Sequence, residues 1–248
     1  MKRFLLLLAA TSILLSACAA PDEYVDVPVS TPAASAPSAA PTASPVPTEK
    51  PLADQNADKI KEAKAKNSDV IGWVNVPDTN IDYPIMYGDD WYYHYHNFEK
   101  ERENERCVYA YREKAARNNP VTAPNLRESG TMFHQLHQVQ DDAERLLTYG
   151  NRVWNISVFG HEFWEVFALY EAPAGEPKET LYFNTQTLAD ADDDELENWL
   201  GYQMSRSEIA LGVQPSMNDT FLTLVTCGDT HEDSNKNSRL YVFLRAVD

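Results

Sequence analysis

Two residues near the C-terminus, Cys227 and Arg239, have the types and the spacing for acyl-transfer chemistry. A cysteine thiolate is a strong nucleophile, and a neighbouring guanidinium both favours the ionised form and can hold the oxyanion that develops when a carbonyl is attacked. The run Phe221-Leu-Thr-Leu-Val-Thr-Cys227 reads as a strand, with Leu222, Leu224 and Thr226 on one face and Phe221, Thr223, Val225 and Cys227 on the other. In Arg239-Leu-Tyr-Val-Phe-Leu-Arg245, Leu240, Val242 and Leu244 share a face opposite Arg239, Tyr241, Phe243 and Arg245. If the leucine faces look into a core, Cys227 and Arg239 both point away from it. The eleven polar residues from Gly228 to Ser238 suit a loop between antiparallel neighbours, which sets the thiol beside the guanidinium. Thr223, Val225 and Tyr241 then line the groove a substrate would occupy.

Six histidines are available for proton transfer or metal binding. His94 and His96 are two apart in an extended stretch, and His134 and His137 three apart on an expected helix. Each pair could share a face and offer metal ligands, although boundary positions are the simpler expectation. His134 and His231 are also candidates to reach Cys227, and the sequence does not rank them. His161, in Phe159-Gly-His161, is expected at a hairpin apex. Cys107 is expected to be an unpaired strand residue, since a disulfide to Cys227 would mask the nucleophile. A papain-like arrangement does not fit: its cysteine opens an early helix, whereas Cys227 ends a late strand.

The elements that must hold these residues are mostly strands. Apolar or alternating runs at 70–76, 81–86, 107–111, 153–159, 165–170, 221–227 and 240–246 give seven candidate strands, which favours a barrel or sandwich. A polar helix is expected over 54–67, another over 131–147, and a third over 192–206, where Asp192, Asp193, Asp194 and Glu195 crowd the N-terminal end that favours negative charge.

Of the 248 residues, 43% are apolar and 24% charged, which suits a globular chain with one sizeable core. Thirty-eight acids against twenty-one bases give a formal charge of −17, so no surplus of Lys and Arg exists to displace counterions from nucleic acid. No GxxxxGK[ST] or GxGxxG occurs, which removes the usual handles for nucleotides. Met1-Lys-Arg3, the apolar run 4–15 and Leu15-Ser-Ala-Cys18 form an export signal ending in a lipoprotein box, with Cys18 the residue to be diacylated and the membrane lipid its partner. Loss of residues 1–17 removes Lys2 and Arg3 and takes the charge to −19. Residues 18–52 are the lipidated Cys plus a Pro-, Ala-, Ser- and Thr-rich tether without the means to bury a core, and 53–248 are the folded domain. The expected location is extracytoplasmic, lipid-anchored to a bacterial cell membrane.

From about Asn67 onward the chain resembles the class B sortases, cysteine transpeptidases that attach proteins to bacterial cell walls or build pili. Asp69-Val-Ile-Gly-Trp-Val-Asn-Val-Pro-Asp-Thr79 with Ile81-Asp-Tyr-Pro-Ile85 is similar to the family's "DVxGWIxIxxTxIDYPV", and Trp91-Tyr-Tyr93 with His96-Asn-Phe98 to "YYLxHNF". Gly130-Thr-Met-Phe133 resembles "GSMF", Ser205-Arg-Ser207 the serine-rich end of an inserted helix, and Thr223-Leu-Val-Thr-Cys227 "TLSTC", with Arg239 at a family-like distance. The resemblance implies a mainly β, closed sortase-like barrel with an N-terminal helix and inserted helices. It implies Cys227 as nucleophile, forming a thioacyl intermediate with the sorting signal of an exported protein, and Arg239 as oxyanion partner. An amine in the cell wall or on a pilin would accept the acyl group; no cofactor is required. One departure stands out: aligned on Asn125, Pro124 occupies the place of the catalytic histidine in the family's "YGHN". Proline has no side-chain proton to move. The alternatives are therefore a catalytically impaired sortase-fold lipoprotein that binds peptide or wall material, and a metal-binding lipoprotein using His94, His96, His134 and His137.

Overall fold

The computed structural model describes residues 56–103, 106–173, 181–228 and 237–247, all within one compact unit spanning 49–248. The export signal, Cys18 and the tether lie outside the described residues, as does His231. Helix α1 (Ala57–Lys66) precedes β1 (Val70–Asn75) and β2 (Asp82–Met86). A 3-10 segment, Asp89–His94, leads towards β3 (Val108–Ala110) and β4 (Asn118–Thr122). The short ribbon of β5 (Asn125–Leu126) and β6 (Thr131–Met132) leads through 3-10 turns to α2 (Leu136–Asp141) and α3 (Tyr149–Arg152). Then come β7 (Val153–Val158), β8 (His161–Pro173), α4 (Leu181–Thr185), α5 (Asp193–Arg206), β9 (Phe221–Cys227) and β10 (Ser238–Ala246).

Eight strands close into a barrel in the order β1-β2-β3-β4-β9-β10-β8-β7. Closure leaves no unpaired sheet edge. The expected mainly β barrel with an N-terminal and an inserted helix is the observed architecture. Six of the seven expected runs reappear within a residue or two, and the seventh, at 165–170, is the middle of the much longer β8. The eighth barrel strand, β4, was not expected, because Asn118-Asn119-Pro120 has the composition of a turn. Both asparagines are fully buried, and their amides do the work of the missing apolar contacts: Asn118 Nδ2 donates to Gln186 O at 2.8 Å and Asn119 Nδ2 to Phe221 O at 2.9 Å.

The expected helix over 131–147 is instead a broken path of β6, two 3-10 turns and α2. Met132 has φ of 56°, a left-handed step that ends regular structure at that point. Helix α5 matches its expected start: Asp192 accepts from Glu195 N at 2.9 Å while the Glu195 side chain accepts from Asp192 N, a reciprocal cap.

The barrel interior takes Leu222, Leu224, Leu240, Val242 and Leu244, all fully buried. The outer face of β9–β10 is buried as well. Trp199 of α5 packs over Phe221 and Phe243 with ring centroids 5.6 Å from each, and its indole N–H donates to Phe183 O at 3.0 Å. The segment 181–206 is thus a roof over part of the outer sheet.

Candidate active site

Strands β9 and β10 pair antiparallel with Cys227 directly opposite Arg239, so thiol and guanidinium project from the same outer face. The roof stops short of them. Val225 and Tyr241, one register step back, are 2% and 0% exposed, whereas Cys227 is exposed and Arg239 half-buried. The expected groove residues therefore need correction. Thr223 is fully buried and donates through Oγ1 to Asn118 Oδ1 at 2.7 Å, and Val225 and Tyr241 are buried as well, so none of the three lines an open groove. Strand alternation had given their face correctly but not its burial.

An open cleft of about 850 Å³, lined by Trp91, Tyr111, Phe183, Gln186 and Leu188 but not by Cys227 or Arg239, comes within electrostatic reach of Arg239 at Tyr111. The Tyr111 ring packs against Trp91 at 4.7 Å. Burial pushes the Tyr111 phenol up to about 12 against the pull of the nearby Arg239 charge, so it is a neutral wall at physiological pH.

Cationic groups stand on both sides of Cys227, Arg239 on β10 and Arg106 near β3, beyond β4. Arg239 Nη1 donates to Ser238 O at 2.8 Å and to Asn237 Oδ1. His94, from the 3-10 segment, contacts Tyr109 Oη through Nδ1 at 2.6 Å and lies 3.4 Å from Arg106 Nη1 through Nε2. Burial, then the charges of Arg106 and Arg239, hold the His94 ring below the usual imidazole range and keep it neutral.

On the β4 flank, the parallel register Thr122↔Val225, carried on by the Ala123 N to Val225 O bond of 3.3 Å, brings Pro124 level with Cys227. The position at which the resemblance requires histidine is therefore adjacent to the thiol-bearing residue and carries no titratable group. Beyond it, two side chains converge on the Cys227 carbonyl: Asn125 Nδ2 at 3.1 Å and His137 Nε2 at 2.9 Å. His134 Nδ1 meets Asn125 Oδ1 at 2.7 Å. The next peptide is tied too, with Gly228 N donating to Ser238 O at 2.9 Å and Arg127 Nη2 to Gly228 O at 2.8 Å. Any side chain at Gly228 would run into Ser238 and Glu171, which accounts for glycine directly after the cysteine.

The four histidines weighed as metal ligands do not come together. His96 stacks on Tyr92 with centroids 3.9 Å apart, while His94 turns towards Tyr109. Among the described residues no group of three or more His, Cys, Asp or Glu is placed to hold a metal ion. His161 opens β8 after a two-residue turn, its ring 5.3 Å from Trp164. Cys107 is buried and its thiol is pushed up to about 12, first by burial and then by Glu99, so it is unreactive near neutrality. The approach of His137 to Cys227 was not anticipated. His137 drew attention only through its spacing to His134, and the break in the 131–147 path is what turns it towards the end of β9.

No family model matches the chain. Sortase B of Listeria monocytogenes is 29% identical over 188 residues, covering 72% of this chain and 70% of that protein. Sortase B of Staphylococcus aureus is 23% identical over 179 residues, 68% of each chain. Among solved structures, a mutant form of Clostridium perfringens sortase B superposes with a TM-score of 0.65 at 27% identity, covering 78% of this chain and 89% of that one. A substrate complex of Staphylococcus aureus sortase B shares the fold, with a TM-score of 0.60 at 18% identity over 77% of this chain and 85% of that one.

Proposed function

Because the chain belongs to the class B sortase family, we propose that it is a cysteine transpeptidase whose nucleophile is Cys227 and whose substrates are sorting-signal peptides of exported proteins. The observation that carries this reading is the exposed Cys227 thiol paired in register with Arg239 at the edge of the roof.

In the proposed reaction the Cys227 thiolate attacks the scissile carbonyl carbon, and the oxygen takes up negative charge beside Arg239. Collapse of this intermediate breaks the C–N bond, and the leaving amine departs with a proton. The acyl group remains on sulfur as a thioester. An acceptor amine of the cell wall or a pilin then attacks that thioester, an amide bond forms, the C–S bond breaks and the thiolate returns. Water in place of the amine gives hydrolysis. The high negative charge of the whole chain opposes a thiolate, which makes the local positive charge of Arg239 the more necessary.

The Leu15-Ser-Ala-Cys18 box supports reading this chemistry as extracytoplasmic, on a lipid anchor and a proline-rich tether. Fatty-acid labelling of the expressed protein should vanish in Cys18→Ser, with release into the medium; retention of label would remove the anchor from the reading.

The direct test is intact-mass analysis of the protein incubated with a panel of sorting-signal peptides. A thioacyl adduct on Cys227, lost in Cys227→Ala, is the expected result. A thiol that forms no adduct with any peptide would leave the other reading, a sortase-fold protein that binds peptide without turning it over, which the proline level with Cys227 favours. In that case Cys227→Ala should keep the peptide affinity of the wild type.

A further inference from the structure

We propose that His137 has taken over the proton transfer that Pro124 cannot perform, with Gln140 and Glu208 as its positioning residues. The inference rests on the transpeptidase reading for its reaction, but the arrangement it invokes is independent of that reading.

A carbonyl oxygen only accepts, so the 2.9 Å contact from His137 Nε2 to Cys227 O requires a proton on Nε2. The 3.2 Å between Asn125 Nδ2 and the same ring nitrogen is then two donors meeting on one oxygen. On the far side of the ring, Nδ1 lies 3.2 Å from Gln140 Oε1. The Gln140 amide cannot turn round freely, because its Nε2 donates to Glu208 at 2.8 and 3.1 Å. Its oxygen therefore faces Nδ1, and a proton on Nδ1 satisfies that contact as well. A carboxylate fixing an amide that orients an imidazole beside a cysteine is the logic of a nucleophile, a base and an orienting third group.

The placement matches the task. Cys227 is flanked by β10 with Arg239 on one side and by the β4 end with Pro124 and Asn125 on the other, and His137 approaches from the second side. Cation and proton donor thus reach the Cys227 residue from opposite sides, Arg239 from β10 and His137 at the Cys227 carbonyl. The ring is approached by Asn125, the Cys227 carbonyl, Gln140 and, through Gln140, Glu208, and by the His134 ring, whose centroid is 6.4 Å away and whose Nδ1 meets Asn125. In the reaction, the Nε2 proton leaves the Cys227 carbonyl for the departing amine as the C–N bond breaks. The acceptor amine later returns a proton to Nε2 as it attacks the thioester.

The decisive variant is His137→Gln, which keeps a donor able to reach the Cys227 carbonyl but cannot carry a proton to an amine. Acylation measured by single-turnover mass analysis is expected to fall ~10²–10⁴-fold, the usual worth of general acid help, with circular dichroism unchanged. Adding Pro124→His to that variant should restore part of the rate, since a histidine then stands level with the thiol. Wild-type acylation rates in His137→Gln would reduce His137 to a brace for the strand end and overturn the inference. So would loss of acylation in His94→Leu but not in His137→Gln, which would assign the proton to His94.

Alkylation of Cys227 by iodoacetamide at pH 7, mapped by peptide mass, separates this inference from the reading it rests on. His137→Gln should slow alkylation several-fold, because the ring at the Cys227 carbonyl is the group placed to assist proton movement at this residue. If no peptide acylates the wild type but alkylation slows in this way, the transpeptidase reading fails and the Cys227–His137 pairing stands; unchanged alkylation overturns the pairing as well.

Discussion

Along the outer face of β9 and β10, two neighbouring stretches meet opposite fates. Phe221 and Phe243 lie under Trp199 of the 181–206 segment, and Thr223, Val225 and Tyr241 beside them are buried, while Cys227 and Arg239, the next pair on that face, are exposed and half-buried. The alternation of side chains is the same in both stretches. What differs is burial. A strand pinned on both faces holds its last residue in a fixed direction, and under the proposed function the Cys227 thiol takes that rigidity from the buried residues behind it. The sealed stretch is therefore a foundation and the exposed pair is the tool.

This contrast can be broken experimentally. The largest effect should come from Cys227→Ala, which removes the nucleophile and should lower acylation by on the order of 10⁴-fold or more, read by intact mass. Residual acylation near the wild-type rate would mean that the exposed pair is not the tool. Next is Trp199→Ala, which takes the fully buried ring from the roof and should cost about 3–5 kcal/mol in denaturant unfolding. The same change should make a cysteine introduced by Thr223→Cys, opposite Phe243, accessible to maleimide, whereas Thr223→Cys alone should stay unlabelled. Labelling with the roof intact would show that the covered stretch opens on its own. Arg239→Gln should slow acylation by ~10²–10³-fold with peptide affinity little changed, as expected for a group that meets charge only in the transition state. A pure loss of affinity would recast Arg239 as a substrate clamp.

What could be read from the sequence follows the same division. The period-two patterns of 221–227 and 239–245 fixed which side chains share a face, and the acidic cluster at 192–195 located the start of α5, because both signals are local. Strand β4 was not legible, since its asparagines satisfy themselves through long-range bonds to residues 186 and 221 that no local pattern announces. The groove assignment to Thr223, Val225 and Tyr241 failed for a related reason: a strand shows its two faces, but not what a distant insertion lays over one of them. His137 was visible as a residue and invisible as a neighbour of Cys227, because a regular helix over 131–147 would have aimed it elsewhere.

The smallest expected effect probes the boundary between the two stretches. The Tyr241 hydroxyl is buried without a hydrogen-bond partner among the described residues, and the same is true of Asn184 Nδ2. Burial raises the Tyr241 phenol well above its ordinary range, so the group is neutral; the Asn184 amide is near enough to act on it but outside hydrogen-bond geometry, and Tyr241 shares a face with Arg239 two residues along β10. Removing an unsatisfied buried polar group removes a desolvation cost, so Tyr241→Phe should leave stability unchanged or raise it by up to about 1 kcal/mol. Acylation should be unaffected if Tyr241 belongs only to the foundation. If Tyr241→Phe instead raises KM for the peptide while the protein unfolds at the same denaturant concentration, the hydroxyl is being held for the substrate. The roof must then lift on binding, and the line between foundation and tool would have to be redrawn one register step further from Cys227.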